Sequence, residues 1–385
     1  MRIVFFSVVL NHHQAPVADA LWRLCDRQYT FVELTPLADA KGAVSDYSQR
    51  PYLLRAWESD KAYAKAMELA KTAAVCVFSG VASLPFETAR MRLGRLSFDM
   101  GERWLKRGWK SLLSPNLLKW RLAYTLGGWG RKPLYKLCCS AFCAADHYRL
   151  HTFRNKCYKW GYFTSVAKNC VEAFPDVPIP LMWCSRYLVL KHPELPVLMA
   201  HRLRRQGYRF RLDMYGSGPY EGATQQLAKK LGVDDVVRFV GVKPNDELLS
   251  DMRRHEIFLF TSDRNEGWGV VANESMANGC VLVASDGIGS SRYLVEDGQT
   301  GLLFRSPLVS SGIAHPDSAA LDSLCEKVAY LLRHSAERRA MRQRSLSLMQ
   351  NVWNPQVAAE RLLVLIDLLQ ADKDTIYENG PCSKA

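Results

Sequence analysis

Twice along the chain, short apolar runs alternate with stretches of helical composition, and this alternation restricts the fold more than any other feature. In the first half the runs are IVFFSVVL at 3–10, FVEL at 31–34 and AVCVFSG at 74–80. Between them lie PVADALWRLC and SDKAYAKAMELAKT, whose composition favours helix. From about residue 178 a second series begins with PLMWCS. It continues through FRLDMYGSGP, VVRFVGV, EIFLFTS and VLVAS, with helical stretches between and glycines where strands give way to helices. Strand-helix-strand order implies a parallel sheet covered by helices on both faces. A chain of 385 residues exceeds one ordinary core, so two doubly wound domains are expected. The first is expected over 1–172, ending with a strand in KCYKWGYFTS and a connection near 170–178. The second is expected over 173–370 with closing helices after 312, followed by a flexible polar tail at 371–385.

Several classes are excluded. The opening apolar run, Ile3 to Leu10, is short and lacks a small-residue cleavage site, so it reads as a buried strand rather than a leader. No stretch approaches the roughly 18 apolar residues needed to cross a bilayer. Eleven cysteines without framework spacing read as reduced thiols in a cytoplasmic protein, and no His/Cys cluster suggests a metal. The net charge of +13 is unevenly placed: twelve Lys or Arg lie between Arg90 and Lys136, against Asp99 and Glu102.

The second half carries the clearest chemistry. In EGWGVVANESMANG a strand has just ended near Ser262, a loop turns, and a helix is expected from about Gly269 to a cap at Gly279. Unpaired N–H groups at such a helix start favour phosphate or sugar oxygens, and Gly267 and Gly269 permit close backbone approach. Helical side chains lean toward the N-terminus, so Glu274 reaches back toward the loop bearing Glu266, Trp268 and Val270. PLMWCSRYLVLKHPE adds Arg186 and Lys191 after the first strand of this half. Loops at the carboxyl ends of parallel strands converge, which would join Arg186, Lys191, Gly216 of YGSGP and Glu266 around a diphosphate.

Taken in order, SRYLVLKHPEL, DMYGSGP, RFVGVKPNDELLSDM and FTSDRNEGWGVVANESMANGCVLVASD resemble the retaining glycosyltransferases of family 4, of bacterial surface-polysaccharide type. The resemblance covers about 178–305. It implies the GT-B fold, two Rossmann-like domains facing a cleft, and metal-independent transfer from a nucleotide-diphosphate sugar, with UDP favoured over GDP. It further implies that Arg186 and Lys191 hold the diphosphate and stabilise the leaving group. Glu274 would bind the ribose, and Glu266 with the backbone of Gly267, Trp268 and Gly269 would position the sugar. Fixed cations aimed at a departing diphosphate are the expected electrostatic catalyst.

In the first half, VVLNHHQAP places Asn11, His12, His13 and Gln14 after the first strand, as candidates to bind the acceptor, with one His able to act as base. Where family members carry a His after a later strand, Ser79 and Gly80 stand here. The segment 90–136 mixes its basic residues with Trp104, Trp109, Trp120 and Trp129. That mixture suits an anionic membrane surface and a glycan or lipid-linked acceptor, with a cytoplasmic, peripheral location; no nucleic-acid recognition module is visible. A GT-B sugar phosphorylase, a nucleotide-sugar epimerase, or a non-catalytic relative that binds glycan or membrane are the alternatives.

Overall fold

The structure is a computed structural model, and it describes residues 1–36, 47–106, 108–166 and 178–385. The expected domain junction at 172/173 and Arg107 lie outside the described residues. Two compact units are present, one of Met1–Thr164 with Val352–Ala385 and one of Ser165–Asn351.

The first unit is built on strands β1 (Ile3–Ser7), β2 (Tyr29–Glu33), β3 (Leu53–Arg55), β4 (Val75–Ser79), β5 (Ser97–Gly101), β6 (Leu134–Cys138) and β7 (Cys157–Lys159). They lie in the order β3-β2-β1-β4-β5-β6-β7, and every adjacent pair is parallel. Helices α1 (Ala15–Leu24), α2 (Asp60–Thr72), α3 (Leu84–Leu93), α4 (Pro115–Thr125) and α5 (Cys143–Arg149) connect them. Apolar side chains fill one face of the sheet, with Phe6 stacked on both Phe78 and Phe86 at 5.1 Å. Ser59 starts α2 by accepting the Ala62 N–H, and α3 ends on Gly94 in the left-handed region.

The second unit repeats the plan with strands β8 (Ile179–Cys184), β9 (Phe210–Tyr215), β10 (Val237–Gly241), β11 (Ile257–Phe260), β12 (Val281–Ser285) and β13 (Gly301–Phe304). Their order is β10-β9-β8-β11-β12-β13, again wholly parallel. The helices are α6 (Glu194–Arg205), α7 (Glu221–Lys230), α8 (Asn245–Arg253), α9 (Val271–Ala277), α10 (Ser291–Leu294), α11 (Ser318–Arg333) and α12 (Ser335–Asn351). Strand order reverses direction between β8 and β11, which leaves a crevice at their carboxyl ends. In α12, Arg338 is buried but donates to Glu256 Oε2 at 2.7 Å, so its charge is matched.

Three differences from the sequence reading have physical causes. The last helix, α13 (Pro355–Gln370), packs along α1 in the first unit rather than closing the second. Its inward residues Leu362, Leu365 and Ile366 are apolar, but such a face does not name the surface that covers it. The tail expected to be flexible is anchored at the edge strand β7: Lys159 N–H donates to Ser383, Cys382 N–H donates to Lys159, and Cys382 is fully buried. Finally, the described tryptophans of the basic segment turn inward, while most of its described Lys and Arg side chains stay at least partly exposed. The segment supplies β5 and β6, and Trp120 and Trp129 belong to the core, with Trp104 packed beside them; the side chain of Trp109 lies outside the described residues.

Arg90 shows how a cation is accommodated there. Although fully buried, it donates from all three guanidinium nitrogens, to Ser97 Oγ and to the carbonyls of Ala70, Ala73, Ala74 and Leu96, at 2.8–3.0 Å. Ten described cysteines are free thiols, nine of them buried.

Candidate functional site

Strand β8 ends at Cys184, and the chain then runs through Arg186 to Lys191 before α6 begins. Tyr187 N–H donates to Ser217 O at 3.0 Å, which ties this loop to the one after β9. Gly216 makes the approach possible: its φ is +114°, and a Cβ there would stand 2.0 Å from Ser185 O. Gly216 therefore shapes the loop that carries Arg186, whose side chain is exposed.

Strand β11 feeds the opposing loop. Lys191 Nζ pairs with Glu266 Oε2, an oxygen that also accepts from Ser262 Oγ at 3.0 Å. The same ammonium lies 5.8 Å from the centroid of Phe260. Gly269 has φ +76°, and a Cβ there would be 2.2 Å from Phe260 Cζ and 3.3 Å from Glu266 Cγ. The glycine is thus what lets the turn close over Phe260. Helix α9 starts at Val271, two residues later than expected, and it ends as expected, with Gly279 at φ +82° and Cys280 N–H donating to Ser275 O.

Glu274 is buried one turn into α9. Burial pushes the Cys184 thiol up to about 12, the Glu274 carboxylate adds to this, and Lys191 opposes it. Trp268, whose backbone is expected to help position the sugar, has its side chain fully buried, with its N–H donating to Asn273 Oδ1 at 2.7 Å and its ring edge-on to Tyr293. Gly267 is buried and Val270 partly exposed.

A layer beneath these residues carries no role in the sequence reading. His192 is fully buried with φ +47°, its Nδ1 2.9 Å from Glu194 Oε1 and its Nε2 3.3 Å from Asp263 Oδ2. Burial opposes its charge, but its hydrogen bonds to Asp263 and Glu194 outweigh that, raising its pKa to about 9. Asp263 Oδ1 also accepts the Asn265 N–H at 2.7 Å. The imidazolium therefore joins the Lys191 loop to the Glu266 loop. The available signal was the His directly after Lys191, but nothing in the spacing pairs it with a residue 71 positions away.

In the first unit, Asn11 Oδ1 accepts the N–H groups of His13 and Gln14, so it holds the turn that leads into α1. Gln14 Nε2 donates to Ser7 Oγ at 3.3 Å. His13 lies against Tyr162, and burial followed by the charge of His12 lowers its pKa to about 3, leaving it neutral. The void beside it is only about 10 Å³. The ring of His12 is edge-on to His13.

Among the described residues no three His, Cys, Asp or Glu are grouped to hold a metal ion, and no helix is long and apolar enough to cross a membrane.

Residues 178–345 match the family model described as Glycosyl transferases group 1. The D-inositol 3-phosphate glycosyltransferase of Kribbella flavida is 36% identical over 148 residues, 36% of this chain and 34% of the relative. The chain spans about a third of the length of the curated relatives it matches. Among solved structures, Anabaena Alr3699/HepE in complex with UDP has a TM-score of 0.68 at 14% identity, over 96% of this chain and 100% of that one. The lipopolysaccharide outer core galactosyltransferase WaaB, in its apo form, has a TM-score of 0.67 at 13% identity, over 94% and 99%. The chain has the GT-B fold, and its residues 178–345 are similar to Glycosyl transferases group 1.

Proposed function

We propose that the protein is a retaining glycosyltransferase of family 4, moving a sugar from a nucleotide-diphosphate donor to a glycan or lipid-linked acceptor during surface-polysaccharide synthesis. The observation that carries this reading is the pairing of Lys191 with Glu266 at the β8/β11 crevice, over the close turn at Gly269. Lys191 and exposed Arg186 meet the two phosphoryl groups, a point charge and a planar fork. As the anomeric C–O bond breaks, negative charge grows on the diphosphate, where these fixed cations lower the barrier. Glu266, released from Lys191 by the incoming phosphate, accepts hydrogen bonds from sugar hydroxyls. Glu274 does the same for the ribose. UDP is the favoured nucleotide, in keeping with the UDP bound to Alr3699/HepE. A cytoplasmic location at the inner face of the membrane suits a lipid-linked acceptor.

Calorimetric titration with UDP and GDP, and donor hydrolysis over a panel of UDP-, GDP- and ADP-sugars, test the reading. Lys191→Ala and Glu274→Ala should each weaken nucleotide binding by about tenfold or more. Unchanged nucleotide affinity in both variants would sink the assignment.

A further inference from the structure

The first unit holds a cavity of about 720 Å³ at the carboxyl ends of β4 and β5. Open parallel sheets bind ligands at that end. Its lining is chemically divided. Deep in the fold, Glu87 of α3 is 2% exposed and faces the cavity, and its Oε1 has no hydrogen-bond partner. Burial, then the charge of Asp99, raises this carboxyl well above the usual range, against the opposing influence of Lys136 and Trp120, which favours the protonated form that can donate as well as accept. The neighbouring charges are matched: Lys136 pairs with Asp99, and Lys106 pairs with Glu102.

At the mouth the balance changes. Lys110 and Lys119 line the cavity, and neither has a carboxylate within ion-pairing distance among the described residues. Leu113 and Leu117 line the same cavity, Leu113 being 73% exposed. A buried carboxyl oxygen without a partner costs folding free energy unless a ligand or water completes it. Aromatic faces such as Trp104 and Trp120, which also line the space, suit the C–H faces of a polyol.

We propose that this cavity is the acceptor-side binding site and takes a phosphodiester-linked amphiphile. The hydroxylated head sits against Glu87, the phosphodiester at Lys110 and Lys119, and the apolar chain over Leu113 and Leu117. The word acceptor rests on the transferase reading above, whereas the binding chemistry does not. The Asn11–Gln14 segment is not needed for it.

The test uses full-length protein without donor. Lysophosphatidylglycerol, kept below its micellar concentration, supplies head, phosphodiester and one chain; lysophosphatidylcholine lacks the hydroxylated head, and glycerol 3-phosphate lacks the chain. Tryptophan fluorescence reads binding. The first ligand should bind about tenfold or more tighter than either comparator. Glu87→Ala should remove most of that preference, Glu87→Gln should retain it, and the exposed Lys119→Glu should weaken both lysolipids. UDP affinity, measured on every variant, reports that the protein is folded and keeps the donor reading separate. Equal affinity for the two lysolipids, indifference to Glu87→Ala in protein that still binds UDP, or binding to phosphatidylglycerol vesicles without binding to monomers would each overturn the proposal.

Discussion

Lys191 and Glu266 arise from loops after two different strands, β8 and β11, yet they share one ion pair, with Ser262 as a second partner of the carboxylate. The pair means that each group is already positioned before any anion arrives. It also means that binding a diphosphate must compete with Glu266 for Lys191. Removing the carboxylate charge alone separates these effects. Glu266→Gln keeps the shape but frees Lys191, so UDP should bind as tightly as before or up to about tenfold tighter, while sugar transfer falls about a hundredfold. Titration with UDP beside a transfer assay decides it: parallel loss of both would show that Glu266 serves only to hold Lys191.

His192 should make the second unit sensitive to alkali. Its folded pKa, about 9, lies above the unfolded value of 6.5. A raised pKa contributes stability that is full below the unfolded value and is lost as pH rises through about 9. The shift corresponds to a contribution on the order of 3 kcal/mol. Thermal unfolding between about pH 6 and about pH 10, in buffers of matched ionic strength, should show this decline in the wild type and a flatter profile in His192→Gln. The variant should also bind UDP more weakly at neutral pH, because the Lys191 and Glu266 loops lose their shared support.

The architecture was legible because strand and helix periods differ sharply, and most of the expected strands appear where their apolar runs lie. Strands β5 and β6 were not legible. SFDMG and LYKLC carry Asp99 and Lys136 in mid-strand, and only the tertiary pairing of those two makes such strands tolerable. Of the candidate site, local motif reached as far as the proximity of Lys191, Glu266 and Gly269. His192 with Asp263 was not, since a contact between two distant loops leaves no periodic trace. The inward turn of the Trp268 ring to Asn273 was not legible either, because the neighbouring glycines suggest openness.

Gly269 offers a test of the turn itself. Alanine there must adopt φ +76° and place its Cβ against Phe260. Gly269→Ala should lower stability by about 1–3 kcal/mol and weaken UDP binding through the displaced loop. Adding Phe260→Leu removes the clash but not the backbone cost, so the double variant should recover part of the loss. Full recovery, read by chemical denaturation, would show that the left-handed conformation is not strained; no recovery would place the defect outside the Phe260 contact.

Arg90 belongs to the basic segment by sequence and to the core by structure. Arg90→Ala leaves the carbonyls of Ala70, Ala73, Ala74 and Leu96 without this donor. The expected cost is about 3–5 kcal/mol. Arg90→Lys should recover little, since one ammonium cannot reach around the same four carbonyls and Ser97. Urea unfolding measures both variants; a loss within about 0.5 kcal/mol would mean the cluster is solvated.

Membrane attachment, part of the proposed location, now falls on different residues. Tryptophans were the expected anchors, but Trp120 and Tyr124 are the inward face of α4, stacked on each other and packed against Phe153. The outward face carries Leu118 and Leu122, with Leu126 next in the same stripe and 82% exposed, beside Lys119. Spacing by four puts these leucines on one stripe, flanked by cations, which is the arrangement that enters a lipid headgroup zone. Each leucine that reaches acyl chains contributes about 1 kcal/mol or more. Leu118→Asp, Leu122→Asp and Leu126→Asp combined should therefore lower flotation with phosphatidylglycerol vesicles by about tenfold or more, with little change in stability because the side chains already face water. Trp120→Ala, in contrast, should unfold the first unit before it reports on lipid. If the triple variant floats as well as the wild type, the leucine stripe is not the anchor, and the exposed lysines at the cavity mouth would have to account for any binding alone.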